Sequence, residues 1–196
     1  MPVNEVVDLL LQLSRALLAE FDVGELTSAQ WIALRYFSRA NSSSRTLSAL
    51  AAYQATTTGT ASQTIKCLEQ AGLLGRDESA RDGRSSVFTL THEGRRLVEN
   101  DPLNHLVREV GTMSSATVVE LRDTLRFLLQ SVSGQQPRHA FGTCNDCAFL
   151  LTRQTRMQRG ESATQTLCRV MNSQVEASDL TLLCKSFRCL TAKPVQ

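Results

Sequence analysis

The sequence lacks an apolar run of about 18 residues, the length that a bilayer-spanning helix needs. It also lacks a basic segment followed by an apolar core and a cleavage site at its amino end, where residues 1–20 read as an amphipathic helix. We therefore expect a cytoplasmic protein with no membrane span. The chain of 196 residues, 42% hydrophobic and 20% charged, is otherwise typical of a globular protein with one or two domains.

An excess of charge of one sign is also absent. The net charge is +2: residues 1–134 carry 13 basic and 15 acidic side chains, and residues 135–196 carry 8 and 4. Without a broad basic field, any affinity for nucleic acid would depend on a few placed contacts.

Catalytic patterns are missing as well. The sequence has no nucleotide-binding glycine loop, no paired catalytic carboxylates and no nucleophile with a neighbouring base. We therefore expect that the protein is not an enzyme.

The most informative stretch runs from residue 47 to residue 90, and its second helix carries the first signal. Thr57 is suited to cap a helix over residues 58–71, which Gly72 would end. Ala61, Ile65 and Leu68 recur at spacings of four and three, so they share one face, which we expect to pack on the domain.

The opposite face of this helix is small, amide-bearing and basic. Gly59, Gln63 and Lys66 repeat along it, Ser62 flanks it, and it has no carboxylate. Glutamine can bind adenine edges, and lysine can reach guanine or phosphate. The face thus suits the major groove of DNA, although an ordinary surface helix with a solvated polar face has the same pattern.

A hairpin with a basic tip follows. Residues 73–76 and 86–90 are short strand candidates, and the turn-rich loop between them carries Arg81 and Arg84. A basic tip beside a groove-binding helix suits phosphate or minor-groove contact, and a solvated charged loop is the alternative. Helix, turn, helix and hairpin together predict a winged helix-turn-helix.

A set of spaced residues resembles the DNA-binding core of MarR-type transcription regulators. The set is Leu50-Ala51, Ser62, Leu68-Glu69, Gly72-Leu73, Arg76, Asp82, Arg84, Leu90-Thr91 and Gly94. The resemblance implies a homodimer that binds a pseudo-palindromic double-stranded DNA operator, and it allows a small-molecule ligand. By position it assigns to the recognition helix Thr57, Thr58, Ser62, Gln63 and Lys66. It assigns Arg84 to the minor-groove arginine of the wing, while the three threonines and Gly59 depart from the family pattern.

Amphipathic helices flank this core. The spacing predicts helices over residues 3–20 and 28–39, a helix after Thr91 that breaks near residues 100–102, and a helix from Ser115 to Val132. In MarR-type proteins the first helix and the last two build the dimer interface. The predicted organisation is residues 1–26 and 92–133 for dimerisation, 27–91 for the winged helix and 134–196 for a cysteine-rich module, with a linker at 133–137.

Five of the six cysteines lie in the last 53 residues. Cys144 and Cys147 form a Cys-x2-Cys pair, a usual way to present two thiolates to one metal, and Cys168 follows. The spacing of Leu180, Leu183, Cys184 and Phe187 predicts a helix. On that helix Cys184 and Cys189 would point about 140° apart, so we select Cys184 as the fourth ligand and leave Cys189 as a spare or exchange ligand. For Cys67 we expect a small buried side chain.

The identity of the centre stays open between three readings. Four cysteines at irregular spacing favour an iron–sulfur cluster, because the second Cys-x2-Cys pair of a zinc ribbon is missing. Structural zinc and a metal-free thiol switch are the alternatives.

The expected fold is mainly α: a winged helix-turn-helix with a helical dimerisation region and a small cysteine-rich helical module at the carboxyl end. The favoured function is a dimeric MarR-like DNA-binding regulator that senses redox state or iron through the cluster. Alternatives are the same regulator with zinc or a thiol switch in its tail, and, from another class, an iron–sulfur electron carrier or enzyme that uses the winged helix as a scaffold.

Overall fold

The computed structural model describes residues 2–21, 25–77, 86–132, 141–156 and 162–189. Its seven described helices are α1 (Val3–Glu20), α2 (Ser28–Arg39), α3 (Leu47–Tyr53), α4 (Thr58–Gln70), α5 (His92–Glu99), α6 (Asn104–Gly111) and α7 (Ser115–Val132). Its described strands are β1 (Leu74–Asp77), β2 (Val87–Leu90), β3 (Gly142–Thr143), β4 (Leu150–Arg156), β5 (Ser162–Cys168), β6 (Ser173–Gln174) and β7 (Leu183–Cys184). The mainly helical fold class with a small wing is therefore confirmed.

Helices α2, α3 and α4 and the β1–β2 hairpin enclose the main core. Thr27 caps α2, because its side chain and that of Gln30 each accept a hydrogen bond from the other's backbone N–H. Strands β1 and β2 pair antiparallel, with Leu74 opposite Leu90. The apolar faces meet in one cluster of buried side chains that includes Leu34, Tyr36, Phe37, Leu50, Ile65, Leu68 and Phe88.

The chain leaves the wing through a tightly packed corner. The Thr91 hydroxyl accepts from the N–H of Gly94 (3.1 Å) and donates to the carbonyl of Gly72 (2.7 Å). A Cβ on Gly94 would lie 2.1 Å from the carbonyl oxygen of Leu73. The corner therefore admits no side chain at this position, which gives a physical reason for the Leu90-Thr91-x-x-Gly94 pattern.

The flanking helices leave their apolar side chains exposed. The predicted bounds of α1 and α7 and the break between α5 and α6 are confirmed, and no side chain of α1, α6 or α7 is buried. The exposed apolar residues of these helices include Val3, Val6, Val7, Leu9, Leu11, Leu13, Val107, Val119, Leu121, Leu125, Phe127, Leu129 and Val132. Within the described ranges, no helix is both long and apolar enough to cross a membrane.

The cysteine-rich segment differs from the helical module that the sequence predicted. Residues 177–179 form one 3₁₀ turn, and Cys184 lies in strand β7 opposite Gly142. Strands β4, β5 and β6 make a small antiparallel sheet. The apolar spacing of Leu180, Leu183 and Phe187 therefore does not reflect an α-helix. The predicted linker at 133–137 lies outside the described residues.

This β-rich segment packs directly on the winged helix. The Phe141 ring meets the rings of Tyr36 and Tyr53 edge-on, with centroid distances of 5.8 and 5.3 Å. Gly142 lies against the Phe187 ring, which a Cβ would approach to 2.7 Å. Phe141 and Leu183 thus extend the main core toward the cysteines.

Candidate nucleic-acid interface and cysteine cluster

Helix α4 begins and ends as its sequence predicts. The Thr57 hydroxyl accepts from the N–H of Thr60 (3.1 Å) and contacts the Thr60 hydroxyl (2.9 Å). Gly72 follows the helix with φ +69°, a conformation that glycine adopts without strain. Four side chains of α4 are buried: Ala61, Thr64, Ile65 and Leu68. Thr64 was not predicted there, and its hydroxyl is satisfied by the Thr60 carbonyl (3.2 Å).

The predicted recognition residues all lie on the exposed side of α4. They are Thr57, Thr58, Gly59, Ser62, Gln63 and Lys66. The Gln63 amide donates to the Cys67 sulfur (3.7 Å), and Cys67 is half-buried rather than fully buried. Since the Thr57 hydroxyl caps the helix, this residue positions α4, while the other five present their surface outward.

A groove of about 400 Å³ runs between α3, α4 and the wing. Its lining includes Ser48, Thr58, Ser62, Lys66, Glu69, Arg76 and Ser86. Glu69 is bound by Arg76 (Oε1 to Nε, 2.8 Å), whose guanidinium lies 5.6 Å from the centroid of the Phe88 ring. The ion pair raises the pKa of the Arg76 side chain, first through its hydrogen bond to Glu69. The acid in the groove is therefore held by a cation at the base of the wing, a pairing that was not predicted from the sequence.

The tip of the wing carries the other two predicted DNA contacts. Arg81 and Arg84 lie outside the described residues, which resume at residue 86 after Asp77. Their roles stay predictions from the sequence.

The four predicted ligands, Cys144, Cys147, Cys168 and Cys184, are all buried, with exposed fractions of 4, 7, 8 and 5%. Cys144 and Cys168 pack around Val175, and Cys147 and Cys184 pack around Phe187. Burial, and then the nearby thiols Cys184, Cys147 and Cys168, raise the pKa of Cys144 to about 11. Cys144 thus has all three other thiols in its electrostatic neighbourhood and holds its proton at neutral pH.

These donors are gathered but not arranged as a finished site. Across the described ranges, no three histidine, cysteine, aspartate or glutamate side chains stand together so as to hold a metal ion. The donor chemistry, four buried thiols, fits zinc or an iron–sulfur cluster. The four cysteine sulfur atoms would have to move closer together before either centre could form.

Strand β7 joins the cysteine cluster to the winged helix. The N–H of Asn41 donates to the carbonyl of Leu183 (2.9 Å), and the N–H of Lys185 donates to the hydroxyl of Ser44 (2.8 Å). Cys184 lies between these two anchors. Residues 42–44 form the 3₁₀ turn that leads into α3, so one proposed ligand is fixed to the entrance of the helix-turn-helix.

A second junction joins the cluster to α7. Asp146, between Cys144 and Cys147, pairs with Arg122 (3.0 Å) and Arg126 (3.2 Å) of that helix. The Arg126 guanidinium also lies 4.9 Å from the centroid of the Phe187 ring. This junction was not predicted from the sequence, although an acid inside the Cys-x2-Cys pair and two arginines one helical turn apart were visible there.

Comparison with known proteins identifies the helix-turn-helix segment. Residues 25–85 match the family model described as MarR family. No curated protein matches the chain. The class defined by the fold is thus a winged-helix protein, and residues 25–85 of it are similar to the MarR family.

Solved structures support the same fold beyond this segment. A MarR/EmrR family transcriptional regulator from Acinetobacter sp. ADP1 is 18% identical and covers 69% of this chain and 99% of its own, with a TM-score of 0.53. CouR from Rhodococcus jostii RHA1, bound to p-coumaroyl-CoA, is 19% identical and covers 69% and 96%, with a TM-score of 0.53. The S. aureus MepR–DNA complex is 23% identical and covers 64% and 96%, with a TM-score of 0.50. Each leaves about a third of this chain uncovered.

Proposed function

We propose that this protein is a DNA-binding transcription regulator that acts as a homodimer on a pseudo-palindromic operator. The exposed face of α4 carries this proposal, because Thr58, Gly59, Ser62, Gln63 and Lys66 present amide, hydroxyl and ammonium groups and no carboxylate. In a helix-turn-helix the second helix lies in the major groove, where such groups bind base edges and phosphates.

The wing supplies a second set of contacts in this proposal. Arg81 and Arg84, at its tip, bind phosphate or enter the minor groove beside the site of α4. Arg76 stays at the base of the wing, where its ion pair with Glu69 offsets the negative charge of that carboxylate. The MepR structure named above is a complex with DNA, and its similarity to this chain is one of fold.

The dimer is proposed from the apolar side chains that α1, α6 and α7 leave exposed. Leu9 and Leu11 of α1 are 55 and 60% exposed, and Phe127 and Leu129 of α7 are 56 and 61% exposed. Exposed apolar side chains in this number are typical of helices that a partner chain covers. A symmetric dimer places two recognition helices about one turn of DNA apart, as a pseudo-palindrome requires.

Selection from a random duplex pool tests the regulator proposal directly. Purified full-length protein should enrich a short inverted repeat over successive rounds, and the selected duplex should bind two chains. Failure to enrich any sequence at low salt, where phosphate contacts are strongest, would contradict the proposal.

For the tail we propose a cysteine-ligated iron–sulfur cluster that senses redox state or iron, held by Cys144, Cys147, Cys168 and Cys184. The support is that all four thiols are buried, Cys144 with Cys168 in one packed cluster and Cys147 with Cys184 in another, and that cysteine thiolates are the usual ligands of such clusters. When bound, a cluster supplies a redox-active centre. Zinc uses the same donors, and a metal-free thiol switch needs none.

The residues around the proposed metal centre connect it to the helix-turn-helix and to α7. Cys184 is held between the Leu183–Asn41 and Lys185–Ser44 hydrogen bonds, and Asp146 is held by Arg122 and Arg126 of α7. A change at the thiols therefore acts on the turn before α3 and on a helix of the proposed dimer interface. Either movement changes the separation of the two α4 helices and so the affinity for the operator.

Metal and sulfide analysis of protein purified without oxygen distinguishes the iron–sulfur cluster, the zinc site and the metal-free thiol switch. Brown protein with matched iron and sulfide supports the cluster. Colourless protein with one zinc per chain supports the zinc alternative, and metal-free protein leaves the thiol switch.

The remaining class, an enzyme or electron carrier with a scaffold winged helix, does not agree with the family of the helix-turn-helix. Because residues 25–85 match the MarR family, we propose that this protein acts as a transcription regulator and not as an enzyme. A small-molecule ligand remains part of the proposal, since CouR was solved with p-coumaroyl-CoA bound.

A further inference from the structure

Cys147 and Cys189 face each other across an antiparallel backbone pairing. The N–H of Ala148 donates to the carbonyl of Arg188 (2.8 Å), and the N–H of Cys147 is directed to Cys144 instead (3.0 Å). This pattern makes Cys147 and Cys189 a non-hydrogen-bonded pair, the type in which opposed Cα atoms lie about 4.5 Å apart and side chains leave the same face.

That placement falls within the range that a disulfide needs. Bridged cysteines have Cα atoms about 4.4 to 6.8 Å apart and Cβ vectors that point toward one another. No other pair of cysteines in the described strands has this relation, because Cys184 lies opposite Gly142 and Cys168 lies opposite Leu150. The backbone pairing therefore places Cys189, rather than another thiol, in position to form a disulfide with Cys147.

We propose that Cys147 and Cys189 form a reversible disulfide. Cys189 is half-buried and Cys147 is buried, so an oxidant in solution meets Cys189 first. With a peroxide, the Cys189 sulfur attacks one oxygen, the O–O bond breaks and a sulfenic acid and water form. The Cys147 sulfur then displaces the hydroxyl group as a second water, and the S–S bond closes with two electrons and two protons passed to the peroxide.

The disulfide has a consequence for the tail that rests on the proposed metal centre. Cys147 is one of its four ligands, so the bridge and the complete centre exclude each other. Oxidation would remove a ligand and fix the segment after Phe187 to the Cys-x2-Cys turn, whose Asp146 is bound by α7. Cys189 is then the residue that removes Cys147 from the ligands of the metal centre. The sequence spacing between Cys184 and Cys189 does not predict this role.

Peptide mapping of the full-length protein tests the bridge without any metal or DNA. The chain is stripped with a chelator under reductant, freed of reductant without oxygen, treated with hydrogen peroxide and then blocked with N-ethylmaleimide. Trypsin together with a protease that cuts before aspartate places Cys147 on residues 146–153 and Cys189 on residues 189–196, with no other cysteine on either peptide.

We expect these two peptides to be joined within one chain, with two of the six thiols consumed, and dithiothreitol to restore both. Cys189→Ser should abolish the linked peptide, while Cys67→Ser, the matched removal of a thiol on α4, should leave it unchanged. A dominant bridge to Cys144, Cys168 or Cys184, a bridge between chains, or sulfinic acid at Cys189 without a bridge would overturn the proposal.

Adding one equivalent of Zn²⁺ to the reduced protein separates this inference from the proposed function. If zinc binds and slows the bridge at least tenfold, both stand. If the bridge forms but neither zinc nor iron with sulfide binds, the disulfide stands and the metal centre fails. If metal binds, but no bridge forms when the metal-free protein is oxidised, the inference fails alone.

Discussion

The backbone N–H of Lys185 donates a hydrogen bond to the hydroxyl of Ser44 at 2.8 Å, and 141 residues of sequence separate the two. Ser44 is fully buried, and its carbonyl accepts a hydrogen bond from the Tyr36 hydroxyl (2.5 Å). Through its hydroxyl and its carbonyl, this one residue connects the cysteine segment, the core tyrosine and the turn before α3. This hydrogen bond therefore joins two segments that are distant in the sequence.

Replacing Ser44 by alanine should loosen this connection. The change leaves the Lys185 N–H without its acceptor, which costs about 1 to 3 kcal/mol when the group stays away from water. We expect a lower free energy of unfolding in urea and faster hydrogen exchange at the Lys185 amide. Ser42→Ala, in the same turn but exposed, is the control and should change neither. Unchanged exchange at Lys185 in the Ser44 variant would contradict the coupling.

Replacing Gly94 by alanine should destabilise the winged helix. The new Cβ would lie 2.1 Å from the Leu73 carbonyl oxygen, a backbone atom that cannot rotate away. Overpacking of this kind costs about 1 to 3 kcal/mol. Gly111→Ala is the matched control, because nothing lies within 4 Å of its Cβ position. Urea unfolding should show a lower midpoint for the first variant only, and equal midpoints would refute the packing argument.

The helices and their caps could be predicted because their signals are local. Thr27, Thr57 and Thr91 each cap the helix that follows, and the apolar spacing gave the buried face of α4 apart from Thr64. The exposure of the proposed recognition residues followed from the same period. Such features depend on neighbours within one or two turns.

The cysteine segment could not be predicted in this way. The spacing of Leu180, Leu183 and Phe187 favoured a helix, yet β7 pairs with β3 and bonds to residues 41–44. Long-range pairing overrides local propensity in strands this short. The same reason explains why the bonds of Glu69 to Arg76 and of Asp146 to Arg126 were not predicted, since each partner lies on another element.

A charge on the exposed face of α7 should separate the proposed dimer. Leu129 is 61% exposed, and Leu129→Glu would place a carboxylate where we propose an apolar interface. Burial of a leucine contributes about 1.5 to 3 kcal/mol, and symmetry makes the loss occur twice. Sedimentation should show a monomer at concentrations where the wild type is a dimer. Gln130→Glu, the exposed neighbour, should remain dimeric, and a dimeric Leu129 variant would move the interface elsewhere.

Removing the ammonium group of Lys66 should weaken DNA binding. Lys66→Ala should cost about 1 to 3 kcal/mol and lower the slope of log affinity against log salt by about 1 for each phosphate that the variant no longer neutralises. Fluorescence anisotropy on the duplex from the selection experiment measures both. Lys185→Ala removes the same charge from an exposed residue outside α4 and keeps the backbone N–H. Equal effects in the two variants would indicate a general charge effect rather than binding by α4.

The raised pKa of Cys144 should make the metal-free protein less stable in alkali. Its value of about 11 exceeds the ordinary thiol value, so the folded chain keeps a proton that the unfolded chain releases near pH 9. The contribution of the protonated Cys144 thiol to the free energy of unfolding is therefore complete below pH 9. It is lost as the pH rises toward 11, by up to about 2 to 3 kcal/mol.

Urea unfolding of reduced, metal-free protein between pH 8 and 11 measures this loss. Burial also raises the pKa of Tyr36 and Tyr53, so the difference from Cys144→Ser, rather than the wild-type profile, carries the test. The serine variant should lose less stability across the range, because serine does not ionise there. Parallel profiles would mean that the thiol is not held in the buried cluster. If they diverge as expected, a metal that binds Cys144 must displace this proton, and its affinity should fall as the pH is lowered.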